Sequence, residues 1–204
     1  MFRYVQNDQV DESITPLCSA PLTQMMSLDS VESQTSFVVA HVGKNWQFYA
    51  DSKQKFGYIL NTSSCSLQAC SNDVDNKLSL KVKLGSNAII QVYYLKSFGD
   101  EMGAVEMYVD SHTQDHVQLD GKWSLRVDNN HLAFEEGFKI PFSVTRVATV
   151  SGSELQGVSS YVKGDHTMVA SLVQGDHVVH LVPNAKYLET KKVMKFKLIG
   201  LTTC

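Results

Sequence analysis

Apolar and polar residues alternate with a period of two along most of the chain from about Thr35 to Leu201, broken at intervals by turn residues. The cleanest stretch is Lys77-Leu78-Ser79-Leu80-Lys81-Val82-Lys83-Leu84. Strict alternation of this kind buries one face of an extended strand and cannot make a helical stripe. The pattern predicts strands near 35–42, 45–50, 56–60, 77–84, 87–97, 103–110, 114–119 and 122–127. It continues near 131–135, 139–149, 157–162, 167–173, 177–182 and 193–201. Gly, Asn and Asp clusters such as Gly85-Ser86-Asn87, Phe98-Gly99-Asp100 and Asp120-Gly121 punctuate them. No helical pattern of 10–15 residues intervenes, so the expected fold is all-β: an antiparallel β-sandwich, jelly-roll-like, rather than a parallel α/β sheet. Residues 1–33 lack the alternation and carry two prolines, which predicts an N-terminal arm or linker remnant before a single sandwich domain over 34–204. Helical turns are expected within the arm near 10–13 and 22–28.

Trp46 and Trp123, with Phe37, Phe48, Phe56, Tyr58, Tyr93 and Phe196, supply the expected core. Strand tryptophans usually sit inside; the sharper alternative places them on an aromatic platform for sugar. A chain of 204 residues suits one large sandwich. Its net charge of -3 and pI near 6.1 offer no clustered basic footprint, which argues against nucleic acid. No apolar run approaches the roughly 20 residues of a membrane-spanning helix, and the first residues lack the apolar core of a signal peptide. The expectation is therefore a cytosolic protein or a mature segment of a secreted one.

Four cysteines bear on that choice. Cys65 and Cys70 enclose four residues, while Cys18 precedes the first clear strand and Cys204 ends the chain. One short bridge and one joining the two ends is an oxidised pattern the even count permits; four free thiols is the other reading. Asn61-Thr62-Ser63 is a glycosylation sequon in a turn.

Catalytic constellations are weak. Gly164-Asp165-His166 and Gly175-Asp176-His177 repeat at a spacing of eleven. If 167–173 is one strand, the two turns lie about 20 Å apart and share no metal. His177 and His180 are three apart on a strand and face opposite sides. Asp128-Asn129-Asn130-His131 has the spacing that supplies acid and base in some serine esterases, but no nucleophile or oxyanion hole accompanies it, and a β-turn explains it. The oxygen-rich loop Ser71-Asn72-Asp73-Val74-Asp75-Asn76 allows a structural calcium; no other cofactor is expected.

The segment Tyr94-Leu95-Lys96-Ser97-Phe98-Gly99-Asp100-Glu101-Met102-Gly103-Ala104-Val105-Glu106-Met107-Tyr108-Val109 resembles a strand–turn–strand signature of the C-terminal β-sandwich module that accompanies SGNH/GDSL-like hydrolase domains in secreted eukaryotic proteins. Pro16-Leu17-Cys18, Trp46-Gln47-Phe48, Lys55-Phe56-Gly57-Tyr58, His177-Val178-Val179-His180-Leu181 and the stretch from Lys195 to Cys204 agree in order. The resemblance implies an extracellular module that accompanies an enzyme without being one, with Cys18 and Cys204 at its edges. The hydrolase domain and its Gly-Asp-Ser segment are absent from this chain, so esterase activity does not transfer.

The expected function is thus a non-catalytic module that binds carbohydrate or a neighbouring protein domain, with Trp46, Tyr94, Asp100 and Glu101 as candidate ligand contacts. A structural or adhesive protein that self-associates through its sheets is the rival, and a hydrolase built from distant carboxylates the third reading. Intact-mass measurement with and without reductant checks the compartment: secretion predicts a gain of two hydrogens per bridge on reduction, and an unchanged mass means free thiols and favours the cytosol.

Overall fold

The computed structural model describes residues 23–26, 38–50, 56–64, 76–123, 125–128, 131–134, 143–152, 166–190 and 193–204. Their strands form two large sheets packed face to face, an all-β sandwich. The five-stranded sheet contains β2 (Val38–Val42), β5 (Leu78–Leu84), β13 (Gly175–Pro183), β7 (Ala104–Val109) and β8 (Val117–Asp120), in that spatial order. The seven-stranded sheet runs β12 (His166–Met168), β11 (Val144–Ser151), β6 (Ile89–Lys96), β14 (Lys195–Thr203), β4 (Phe56–Asn61) and β3 (Trp46–Ala50). Its seventh strand, β1 (Thr23–Met26), pairs with the C-terminal half of β14 and continues the line of β4. A separate hairpin joins β9 (Leu125–Asp128) to β10 (His131–Phe134). All pairings are antiparallel except β11 with β12.

Alternation sets what lies between the sheets. Leu78, Leu80, Val82, Val105, Met107, Leu119, Val179 and Leu181 face inward from one sheet; Tyr58, Leu60, Ile90, Val92, Tyr94, Phe196, Leu198 and Leu201 face them from the other. Phe196 is fully buried, with Tyr94 stacked on it at 5.7 Å between centroids and Trp46 edge-on at 6.4 Å. Such ring pairs add about 0.5–1.5 kcal/mol beyond area burial.

The chain crosses from the five-stranded to the seven-stranded sheet through a short turn after β2. Gly43 N–H donates to Lys77 O at 2.8 Å, and Trp46 N–H to Gly43 O at 2.9 Å. The Asn45 side-chain amide donates to Asn76 Oδ1, and the Trp46 indole N–H donates to Asn76 O at 2.6 Å. The indole therefore enters the core with its polar atom satisfied, which a buried N–H requires.

Several expectations are corrected. Residues 23–26, expected in a helical turn, form β1, because the exposed ladder edge of β14 offers a partner that local propensity ignores. Residues 167–173 are not one strand: β12 ends at Met168 and a turn follows, closed by Leu172 N–H to Val169 O at 2.9 Å. The 20 Å separation built on that strand loses its basis. A helix absent from the pattern, α1 (Ala185–Thr190), follows β13, its first turn capped by Asn184 Oδ1 accepting Lys186 N–H at 3.0 Å. Residues 157–162 and 71–75, Cys18, Cys65 and Cys70 lie outside the described residues. Cys204 is disulfide-bonded.

Phe196→Ala is expected to cost about 3–5 kcal/mol and lower the thermal midpoint by roughly 10 °C or more. Exposed Tyr49→Ala is the control, within about 0.5 kcal/mol. Equal loss in the two would place the core elsewhere.

Candidate functional site

The two outer sheet faces differ. On the seven-stranded sheet, Ile59, Gln91, Thr149, Lys197 and Thr202 alternate with core residues and are nonetheless buried. The five-stranded sheet keeps its outer face accessible: Lys81, Lys83 and Gln118 are exposed, and His41, Glu106, Tyr108, Asp120, Val178 and His180 are half-buried. Between the two, this is the face that can meet a large ligand.

Register places four of its side chains in one transverse row. His41 stands opposite Ser79, Ser79 opposite His180, and His180 opposite Tyr108. Four adjacent strands at about 4.8 Å spacing make the row about 14 Å long. Ser79 is buried with its Oγ 2.8 Å from His180 Nδ1. On the other flank the His180 and Tyr108 rings lie 4.9 Å apart and tilted. Burial presses the His180 pKa below the usual imidazole value and the Lys77 charge adds to this, against a smaller upward pull from Asp110.

One row along, Asn184 gathers the acceptors: its amide donates to Glu106 Oε1 at 2.9 Å and to Gln118 Oε1 at 3.3 Å. Beside it, the Tyr187 hydroxyl of α1 donates to the Asp120 carboxylate at 3.3 Å. At the opposite end Asp110 sits in the left-handed region, φ 54°, where an Asp is tolerated. That conformation folds its carboxylate back to accept Val178 N–H at 2.9 Å, with His177 Nδ1 at 2.7 Å. Burial raises Asp110, but the hydrogen bonds from His177 and Val178 and the nearby histidine charges outweigh it and hold the carboxyl below its ordinary value.

The four residues singled out from sequence are not brought together on this face. Trp46, 2 % exposed, and Tyr94 are core side chains and offer no ring to an external ligand, because their strands turn them inward against Phe196. Asp100 and Glu101 are on the exposed turn between β6 and β7, where Lys122 Nζ reaches Asp100 at 3.3 Å and Lys195 Nζ reaches Glu101 at 3.7 Å. The turn is closed by Met102 N–H to Gly99 O at 2.9 Å, and Phe98 at its start is 51 % exposed. Trp123 is buried beneath Lys96, whose Nζ lies 4.9 Å from the ring centroid. Half-buried Asn61 accepts Ser63 N–H at its side-chain oxygen at 3.1 Å. His177 and His180 pair with Val82 and Ser79 and so point to opposite faces, as their spacing requires. Asp128 and His131 are Cα partners in the antiparallel register of β9 and β10. Asn76, the last residue of the expected calcium loop, is spent on the Asn45 and Trp46 contacts. No cluster of three or more potential metal ligands occurs among the described residues.

Sequence reasoning missed Ser79, Tyr108, Glu106, Gln118 and Asn184. Alternation marks the strand residues among them as outward-facing, but only the pairing of strands a hundred residues apart joins Ser79 to His180.

No family model and no curated protein matches the chain. Among solved structures it is similar to a two-domain esterase active on acetylated mannans, seen in two crystal structures. The one co-crystallized with mannopentaose has 12% identity and a TM-score of 0.43, and the match covers 88% of this chain and 35% of that one. The other has 14% identity and a TM-score of 0.44, with 92% of this chain and 38% of that one covered. The chain thus spans little more than a third of the esterase's length.

Because the folded state holds His180 below its unfolded pKa, the unfolded chain binds this proton first. The stability linked to His180 is complete above about pH 6.5 and is lost as pH falls through the folded value. Thermal midpoints measured from pH 7.5 down to 4.5 should fall less steeply below 6.5 in His180→Phe than in the unaltered protein. Parallel curves would contradict the assignment.

Proposed function

We propose that the chain is a non-catalytic β-sandwich module that binds carbohydrate on the outer face of its five-stranded sheet and works in the extracellular space beside a hydrolase domain. The observation that carries this reading is that open face. It sets the Tyr108 and His180 rings among Glu106, Gln118 and Asp120, the combination of apolar ring surface and fixed polar groups that sugar recognition uses. The resemblance of Tyr94 to Val109 and of the C-terminal strand to modules of secreted proteins supports the setting, and the disulfide-bonded Cys204 suits an oxidising compartment.

The hydrogen-bonded Ser79 and His180 invite comparison with a nucleophile and its base. What supports the non-catalytic reading is their surroundings. The hydroxyl is buried, and the pair sits in the middle of a sheet, where ladder pairing occupies the backbone N–H groups that would have to stabilise an oxyanion.

A second reading has one observation in its favour: β2, at the end of the five-stranded order, exposes Val38 and Val42, which suits self-association through an edge. Sedimentation that shifts with concentration would favour it over the carbohydrate reading.

Affinity electrophoresis in gels containing soluble galactomannan, xyloglucan or mixed-linkage β-glucan tests the proposal. Retardation by at least one polysaccharide is expected. Tyr108→Ala should weaken it by about tenfold, equivalent to about 1.4 kcal/mol, and Gln118→Ala should weaken it less. Unretarded migration of the folded protein in all three gels would count against carbohydrate.

A further inference from the structure

The row His41, Ser79, His180, Tyr108 is the centre of the open face, and the His180 ring is held from both sides. Ser79 Oγ engages Nδ1 at 2.8 Å, and Tyr108 lies against the ring at 4.9 Å. Nε2 belongs to the far edge of an imidazole, away from the main chain. Among the described residues it has no hydrogen-bond partner, whereas both ring nitrogens of His177 have one.

A neutral imidazole carries one proton, and the position of that proton follows from what the other nitrogen does. The 2.8 Å contact fits either direction; in the tautomer proposed below the Ser79 hydroxyl donates to Nδ1 and the proton resides on Nε2. The charges that face the ring are of both signs: Lys77 and Lys81 on β5 and its approach, Asp110 at the end of β7, Glu106 further along it. Lys83 and Asp176 oppose each other at one end of the face, and Asp120 and Lys122 sit together at the other. Such an alternation produces no single-signed field to gather a charged polymer.

We propose, resting on the carbohydrate reading above, that the ligand is an uncharged polysaccharide and that His180 Nε2–H is the central donor to its hydroxyl oxygens, with Ser79 fixing the tautomer and Tyr108 the ring plane. The depressed pKa of His180 agrees with a ring that stays neutral near pH 7. The acceptors Glu106 and Gln118 lie one and two strands across and two residues along from the donor, about 8 and 12 Å away, a span that successive sugars of one chain can bridge. Ser79 is a positioning residue, because its buried hydroxyl acts through the imidazole.

The test is calorimetric titration of the full chain at pH 7.5 with xyloglucan and mixed-linkage β-glucan as neutral probes and polygalacturonate as the charged one. Neutral probes should bind and polygalacturonate should bind at least about tenfold more weakly. His180→Phe keeps a ring but no donor and should lose about tenfold in affinity; His180→Gln keeps an N–H donor and should stay within about threefold. Ser79→Ala, which removes only a hydroxyl, should weaken binding severalfold and serves if the Phe variant does not fold. Tight polygalacturonate binding would overturn the uncharged-ligand assignment. Unaltered affinity in His180→Phe or Ser79→Ala, with Tyr108→Ala still impaired, would overturn the donor assignment and leave the face standing. Absence of binding by the folded, unaltered protein to every probe would remove the carbohydrate reading itself, and the proposal with it.

Discussion

The packing of β14 between β6 and the joined line of β4 and β1 is the constraint on which the rest of the structure depends. Eight of its nine residues are buried, and its inward side carries Phe196 into a ring cluster with Tyr94 and Trp46. A strand buried on both faces fixes the side chains of its neighbours, since a slip of one residue would turn Phe196, Leu198 and Leu201 out of the core. It follows that Phe196, Tyr94 and Trp46 serve cohesion. The proposed recognition belongs to the other sheet, whose outer face alternates Lys, His, Glu, Gln and Tyr against a Leu/Val interior.

The segment Tyr94 to Val109 is a packing joint. Ser97 N–H donates to Gly121 O, Gly121 N–H to Gly103 O, and Gly103 N–H to Lys195 O, all within 2.9–3.0 Å. A Cβ on Gly103 would collide with the Met194 side chain, and one on Gly121 would stand 2.9 Å from Gly103 O. Glycine is required there by close approach, of a packed side chain at Gly103 and of neighbouring backbone at Gly121. Asp100 and Glu101 stand on the rim of this joint with lysine partners. Their position explains why a turn can look like a recognition motif in sequence while its spacing serves the junction of β6, β7, β8 and β14.

Much of the sandwich was legible because alternation is a local signal. Leu78, Leu80, Val82 and Leu84 point inward and Lys81 and Lys83 outward, as the residue types require. Asn184 ahead of Ala-Lys-Tyr-Leu-Glu was a readable helix cap, hidden by the density of strands around it. β1 was not readable, because Thr23 to Met26 becomes a strand only through β14, some 175 residues on. The site was less legible still. Ser79 is outward by alternation yet buried, since a half-buried imidazole from β13 lies over it. Trp46 and Tyr94 offered chemistry by residue type, and only the depth of the core shows that the chemistry faces inward.

The most direct test of the central claim, that the inner faces hold the fold and the outer face of the five-stranded sheet meets the ligand, is a residue-resolved NMR titration with mixed-linkage β-glucan. The account predicts amide and side-chain shifts clustered on β5, β13, β7 and β8, with Trp46 indole and the 98–102 turn unmoved. Shifts centred on that turn or on the seven-stranded sheet would contradict it.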